Sequence, residues 1–495
     1  MIPLAVFILT LLAVPAAARQ SPDLEANSKL AGQAMSAGRF DDAARIYQDM
    51  LRTLPNEPGL LMNLGMALAM GGREAEAVAP LERALKLKPG LIPAQLFLGS
   101  SYLALGKAEK AVPALEVAVA ARPADIEQRR LLAQAYGAVD REVDALAQLR
   151  KITEVAPTLP AGWYALGQAY NGLTQKSLAT FDPEAAGSPW RQLLLADAYL
   201  GDGRLTDAFA LYRLTIDRLP SMVSIRDSIA QIYEKTGHPD WAVRERALGV
   251  LPAVACTRRR ALCEFRGGRY RATLAAALAG NDAESRYWRA RSAAELARAA
   301  FAQVESLPDS RERREVRATF ARSERRFADA IVELKAALKF APGDPSLVDD
   351  LGTSYYGARD YAQAVATLSP LLKVNPNDTR ILTVCGDSLL QLQRLDEAIP
   401  LLQRAVTRDA ADPLPRLALA RAYVQKGDFV AAIPLIELDL AGDQDGSLHM
   451  QLARAYTGIG ERDKGVVLLE RAQELQRKSQ ERSAAIAQRA ISPPK

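Results

Sequence analysis

A proline returns every 34 residues across the first third of this chain, and this spacing constrains the fold more than any other feature of the sequence. The prolines are Pro55, Pro89, Pro123 and Pro157. If each is position 32 of a 34-residue unit, small residues align at two further positions. Position 8 holds Ala31, Gly65, Gly99, Ala133 and Gly167, and position 20 holds Ala43, Ala77, Ala111 and Ala145. A constant period of this length predicts a repeat array whose units pack mainly against their neighbours.

Within each unit the sequence is typical of two short helices. Two apolar stripes of helical period flank a turn that contains glycine, such as Gly38 or Gly106. The small residues allow the two helices to approach closely, and the proline ends the second helix. A single helix pair leaves one face uncovered, so the next pair must stack on it. The units therefore predict an all-α solenoid, and their register returns in stretches that end at Pro220 and Pro376.

One stretch carries the fullest form of the repeat. The letters "WYALGQAY" place Trp163, Leu166, Gly167 and Tyr170 in the pattern W-x2-L-G-x2-Y. This pattern resembles the tetratricopeptide repeat, or TPR. The resemblance implies a superhelical solenoid of about 12–13 helix-turn-helix repeats, with a concave groove that binds proteins or peptides.

The register also predicts the domain organisation. We expect an N-terminal TPR array over 24–255 and a C-terminal TPR array over 311–475. The pattern decays over 256–310, which we interpret as degenerate repeats, with a hinge as the alternative; its later part has the pattern of another helix pair. The short stretch 172–189 takes the place of a normal second helix and breaks the register. Residues 476–495 are predicted to end a capping helix and form a tail, and a short coiled-coil contact is the alternative for this region.

The N-terminus has the form of a secretory signal peptide. An apolar run over 4–14 is too short to span a bilayer, and it leads to an A-x-A site formed by residues 16–18. We expect cleavage after Ala18 and a periplasmic or envelope-associated mature chain without a transmembrane segment. The n-region carries no Lys or Arg, so an uncleaved anchor or a mis-assigned start codon is the alternative.

The resemblance implies that first-helix positions 2, 5, 9, 12 and 13 line the groove. The residues that we predict to bind a partner there are Met62, Met66, Met70, Leu96, Leu103, Tyr164, Gln168, Asn171, Arg421 and Arg454. The methionines are spaced by four and form one stripe, and thioether side chains repack easily around varied partners. The alternative is that part of this stripe is interhelix core. The predicted groove runs from apolar through polar and acidic to basic.

Charge and cysteines point to two further features. Residues 258–326 contain 17 Arg and 9 Asp or Glu, which predicts either a surface for an acidic partner or an ordinary solvated helix face. Cys256 and Cys263 are predicted to form a disulfide in an exported chain, with two buried thiols as the alternative. One continuous helix would hold their Cα atoms about 10 Å apart, so the bond requires a bend. Cys385 is expected to be a small core residue.

No catalytic, cofactor-binding or metal-binding motif is found in the sequence. The two histidines, His238 and His449, lack partners at the spacing of a triad or a metal site, and we interpret them as surface or capping residues. No known nucleic-acid module is present. The sequence thus predicts a non-catalytic exported scaffold, with cell-envelope assembly, secretion or polysaccharide export as its setting. A regulatory subunit of an envelope enzyme, such as a glycosyltransferase or peptidase complex, is the alternative.

Overall fold

The computed structural model describes residues 22–180, 188–220, 222–249, 256, 259–487 and 491–494. The predicted signal peptide, 1–18, lies outside these residues. Within the described part the regular secondary structure is helical, which confirms the all-α prediction. No helix there combines the length and apolar character needed to cross a bilayer.

The helices follow one another in pairs along most of the chain. In order they are α1 Pro22–Ser36, α2 Phe40–Thr53, α3 Pro58–Met70, α4 Glu74–Leu87, α5 Ile92–Ala104, α6 Ala108–Ala121, α7 Ile126–Ala138, α8 Glu142–Val155, α9 Pro160–Ala179, α10 Pro189–Gly201, α11 Leu205–Ile216, α12 Ser224–Lys235, α13 Pro239–Ala247, α14 Arg260–Arg266, α15 Tyr270–Leu278, α16 Ala283–Ser306, α17 Arg311–Ser323, α18 Phe327–Phe340, α19 Pro345–Gly357, α20 Tyr361–Leu368, α21 Leu371–Val374, α22 Thr379–Gln391, α23 Leu395–Arg408, α24 Pro413–Lys426, α25 Phe429–Glu437, α26 Ser447–Gly458 and α27 Arg462–Ala487. Neighbouring helices pack together from α1 to α8, from α10 to α13, from α17 to α20 and from α22 to α27, as the stacked-pair prediction requires.

The helix ends follow from the residues that stand there. The helices α2, α4, α6 and α8 each end two residues before the periodic proline. The intervening residue is forced out of helical geometry by the proline ring, as at Lys88, whose backbone is extended. First helices often begin at a side-chain cap; the Asp125 carboxylate accepts from the Gln128 amide at 3.0 Å. These local signals set the length of each unit.

The small residue at position 8 allows the two helices of a unit to touch. At Gly99 on α5, a Cβ atom would lie 2.6 Å from the Leu115 side chain on α6, so no larger residue fits without displacement. The same contact joins Gly65 to Leu81 and Gly386 to Leu402. In each pair the leucine follows the glycine by 16 residues and is fully buried. A glycine against a leucine is therefore the repeated core contact of the array.

The fifth unit, which begins at Pro160, forms this contact with a distant helix. The residue 16 positions after Gly167 is Pro183, which lies outside the described residues. Gly167 instead meets Phe301 of α16: a Cβ there would lie 2.5 Å from the Phe301 ring. Tyr164 also contacts this ring, with centroids 6.2 Å apart. Phe301 thus fills the place that a second-helix leucine fills elsewhere.

One prediction from the sequence, a helix pair in the later part of 256–310, is wrong. The later part of 256–310 does not form a pair; Ala283–Ser306 is one continuous helix of 24 residues. The stretch contains no glycine or proline and is rich in Ala, Arg and Glu, so nothing in it stops a helix. Asp282 caps its start by accepting from the Ser285 amide at 2.7 Å.

The chain divides into two compact units. Unit 1 contains the residues up to Thr174 together with Ala294–Gln303, and unit 2 contains Gln175–Ala293 and the residues from Val304 onward. This division differs from the two predicted arrays, because the middle of α16 belongs with the N-terminal repeats. Phe301 of α16 packs on Gly167 of α9, which is why this part of α16 groups with unit 1.

A buried carboxylate lies in the core of unit 2. Asp197 on α10 accepts from the Tyr212 hydroxyl at 2.6 Å and from the Tyr287 hydroxyl at 3.0 Å. The Arg291 guanidinium lies 3.2 Å from the same carboxylate. Burial raises the pKa of both tyrosine hydroxyls well above the usual value, so they remain protonated donors at neutral pH. The cluster ties α10 and α11 to α16 within this unit.

Candidate functional site

The predicted methionine stripe lies on the first-helix face of unit 1. Met62 and Met66 on α3 are half-buried, and Met70 is 40% exposed. Their spacing of four residues places them along one side of the helix. Met62 also packs against the hydrophobic core of this unit. The stripe therefore runs from the edge of the core to the surface.

The next helix extends this apolar face. Leu96 and Leu103 on α5 are half-buried and pack against the same core cluster as Met62. Met70, by contrast, lines a shallow cleft of about 420 Å³ together with Phe40 and the turn that precedes it. Of the five residues Met62, Met66, Met70, Leu96 and Leu103, Met70 is exposed and the others are half-buried. We call these five residues the apolar face.

In the predicted polar part of the groove, Tyr164 and Gln168 contact other residues of this chain. The Gln168 amide donates to the Tyr164 hydroxyl at 3.0 Å, and Gln168 is exposed. Asn171 is half-buried one turn further on. Because the Tyr164 ring packs on Phe301, its position is fixed by the fold of unit 1. Sequence periodicity gave no sign of that contact, since Phe301 lies 137 residues away.

Arg421 is less available to bind a partner than the sequence predicts, because it pairs with a carboxylate of this chain. In unit 2 its guanidinium donates to the buried Asp387 carboxylate at 2.7 Å, and the Tyr356 hydroxyl donates to the other oxygen at 2.6 Å. Burial and the Asp387 charge raise the pKa of Tyr356, so it remains a donor. The three side chains link the first helices α19, α22 and α24. The positive charge expected of the groove at this point is therefore neutralised within the chain.

Arg454 lies in an open cleft of unit 2. The cleft has a volume of about 630 Å³ and lies between α24, α26 and α27. Arg454 and Met450 line it from α26, and Gln476 and Gln480 line it from α27. Asp445 contributes one negative charge to the same wall. Its walls are of mixed polar and apolar character, with the Arg454 guanidinium exposed among them.

The arginines of 258–326 are mostly engaged by carboxylates of this chain. The Arg314 guanidinium contacts Asp309 at 2.7 Å and Glu333 at 2.9 Å, and Arg266 contacts Asp227 at 2.9 Å. The other paired arginines are Arg260, Arg269, Arg291, Arg298, Arg311, Arg313, Arg317, Arg322 and Arg326. These pairings compensate much of the local positive charge. They weaken the case for an acidic partner at this stretch.

The cysteines and histidines take structural positions. Cys256 and Cys263 form a disulfide, with Cα atoms 5.7 Å apart. Cys385 is fully buried on α22, and burial raises the pKa of its thiol to about 11. His238 stacks on Trp241, and the His449 ring contacts the Asp443 carboxylate at 2.7 Å. Among the residues that the structure describes, no group of three or more His, Cys, Asp or Glu is placed to hold a metal ion.

Known families match both ends of this repeat array. A family model described as tetratricopeptide repeat matches residues 29–92 and 350–413. A second model with the same description matches residues 71–135 and 389–449. The matched ranges cover the apolar face on α3 and α5 as well as Asp387 and Arg421. The repeat at both ends is therefore the one that the pattern around Trp163 predicts.

Individual proteins match over shorter stretches. The cell division cycle protein 27 homolog A of Arabidopsis thaliana is 32% identical over 88 residues, which are 18% of this chain and 12% of that protein. MamA from Desulfovibrio magneticus RS-1 is 26% identical and matches 30% of this chain and 84% of its own, with a TM-score of 0.29. A MamA AMB-1 structure is 23% identical, with 33% and 98% covered and a TM-score of 0.31. These scores are too low for the superpositions to bear on function.

The helix pairs, their 34-residue period and both family matches all indicate the same repeat, the TPR. TPR arrays are protein-interaction scaffolds, whose stacked first helices present a continuous surface. Residues 29–135 and 350–449 of this chain belong to the tetratricopeptide-repeat family.

Proposed function

We propose that this chain is a non-catalytic scaffold that binds a protein or peptide partner through the apolar face of unit 1. One observation carries the proposal: Met70 is exposed and Met66 is only half-buried on a first helix whose neighbouring residues are packed into the core. An apolar strip of this kind fits the apolar side of a helix or an extended peptide. Methionine side chains adapt to partners of different shape at little cost in rotamer strain.

The setting that we propose is the cell envelope. The signal-like N-terminus and the Cys256–Cys263 disulfide support this, because disulfides persist in oxidising compartments. Envelope assembly, secretion and polysaccharide export all use scaffolds that hold several proteins together. The partner is expected to be a component of one such assembly.

The apolar face is tested by charge substitution in the full chain. We expect Met66→Glu/Met70→Glu to weaken partner capture from an envelope extract by about tenfold or more, because binding would bury two unpaired carboxylates. The matched control is Leu87→Glu/Val117→Glu, which places the same charges at exposed apolar positions on second helices of unit 1. Captured proteins are identified by mass spectrometry, and circular dichroism checks that helicity is unchanged. Equal capture by both variants would remove the apolar face as the binding surface.

Export is tested on the protein recovered from its native host. We expect the mature chain to begin at Arg19 and to yield a peptide in which Cys256 and Cys263 remain joined. N-terminal sequencing and non-reducing peptide mapping measure the two properties. A chain that retains Met1 and carries both thiols free would contradict the envelope setting, while leaving the binding test above unaffected.

A further inference from the structure

A tyrosine at position 11 of a unit recurs beside the second helix of the preceding unit. Tyr136 donates its hydroxyl to the Glu116 carboxylate at 2.7 Å, and Tyr102 donates to Glu82 in the same way. The acceptor stands 20 residues before the tyrosine in both cases. In these two units the hydroxyl thus finds its acceptor on the adjacent helix.

The tyrosine at this position in unit 2, Tyr233, follows an arginine, Arg213, in place of a glutamate. Arg213 stands 20 residues before Tyr233, at the place that Glu116 takes before Tyr136. A guanidinium has donors only, so it cannot accept a hydrogen bond from the Tyr233 hydroxyl. The hydroxyl donates instead to the backbone carbonyl of Ser492 at 2.7 Å. Arg213 itself donates to the next carbonyl, that of Pro493, at 3.2 Å.

The segment Ile491–Pro494 is anchored here by an apolar contact as well. Ile491 is half-buried against the hydrophobic cluster that contains Phe209 and Tyr233. The ring of Tyr233 lies between two other aromatic rings, with centroids 5.7 Å from Phe209 and 5.6 Å from Trp241. Ile491 thus packs against this aromatic cluster, and the side chains of Tyr233 and Arg213 donate to the carbonyls of Ser492 and Pro493.

The chemistry of the segment matches this surface. Pro493 and Pro494 have fixed φ and no amide hydrogen, so they favour the polyproline II conformation. In that conformation the carbonyls have no internal partner and are open to donors. Aromatic-lined surfaces with hydrogen-bond donors are a recurrent means of recognising such peptides. Ser492 and Pro493 contribute backbone oxygens to the contact, so its selectivity comes from the backbone conformation and the apolar anchor.

We propose that Phe209, Arg213, Tyr233 and Trp241 form a binding site for an extended, proline-containing peptide, which in this structure is the chain's own segment Ile491–Pro494. The site lies on α11, α12 and α13 of unit 2 and is independent of the apolar face of unit 1. Attachment to the same chain gives the segment an effective concentration of about millimolar. A partner peptide of the same form must therefore displace it.

The first test follows the segment in the full-length chain. Ser492→Cys provides a labelling position for a thiol-reactive dye, since Ser492 contributes its backbone carbonyl to the site, while Cys256 and Cys263 are bonded and Cys385 is buried. We expect Arg213→Ala/Tyr233→Phe to lower the dye anisotropy to the value given by Ile491→Asp. The control Lys335→Ala/Tyr355→Phe changes the same two repeat positions in another pair and should leave the anisotropy unchanged.

The second test adds the peptide from outside. An unlabelled peptide with the sequence of residues 490–495 should lower the anisotropy of the dye at position 492 at about millimolar concentration. A peptide with aspartate in place of the isoleucine should have no effect. The proposal is overturned if Arg213→Ala/Tyr233→Phe leaves the segment as immobile as before, if the control pair releases it equally, or if the two peptides act alike.

Discussion

Phe301→Ala is expected to destabilise unit 1 by about 3–5 kcal/mol, the cost of removing a buried phenyl ring from a packed core. Phe301 is 6% exposed and rests on the backbone at Gly167, where the other units place a leucine from their own second helix. The three heavy atoms nearest to a Cβ at Gly167 all belong to this ring. The loss should therefore exceed that of truncating an ordinary surface phenylalanine by several kcal/mol.

The effect of Phe301→Ala should be local, and hydrogen exchange measured by mass spectrometry can localise it. We expect faster exchange in α9 and in the helices packed next to it in unit 1, with exchange in α23 to α26 unchanged. Phe320→Ala, at a side chain 46% exposed, is the matched control and should change neither region. Unchanged protection of α9 in Phe301→Ala would mean that α16 does not complete the fifth unit.

Asp197→Ala is expected to cost unit 2 about 3–5 kcal/mol, because it leaves an arginine and two buried tyrosine hydroxyls without their shared acceptor. Tyr212 and Tyr287 are 0% and 2% exposed, so water cannot replace the lost carboxylate. Asp197→Asn retains one acceptor oxygen but removes the charge that faces Arg291. It should fall between the alanine variant and the wild type.

Urea unfolding followed by circular dichroism and by tyrosine and tryptophan fluorescence measures the cost of these Asp197 variants. The control is Glu234→Ala, which breaks an ion pair with Arg246 whose two side chains are each 45% exposed. Such exposed pairs contribute about 0–1 kcal/mol. If Asp197→Ala unfolds at the same urea concentration as Glu234→Ala, the buried cluster does not stabilise this unit.

Two features of the functional surface could be predicted from the sequence, and one could not. The four-residue spacing of Met62, Met66 and Met70 is a local property, and it placed them on one side of α3. Arg421 also lies on a first helix, as predicted, but the sequence could not show that Asp387 neutralises it. The two residues are 34 positions apart. This spacing places them on neighbouring first helices but does not show whether their side chains pair.

The sequence by itself determined the helix pairs, their period and the family, because helix ends, small contact residues and apolar stripes are all encoded within one 34-residue unit. Only the tertiary structure decided which distant residues pack against the units that depart from the regular repeat. Phe301 completes the unit of Gly167, and the carbonyls of Ser492 and Pro493 take the donors of Tyr233 and Arg213. Contacts across more than 130 residues of chain leave no periodic signal. Packing and hydrogen-bond satisfaction select them only once the regular units have formed.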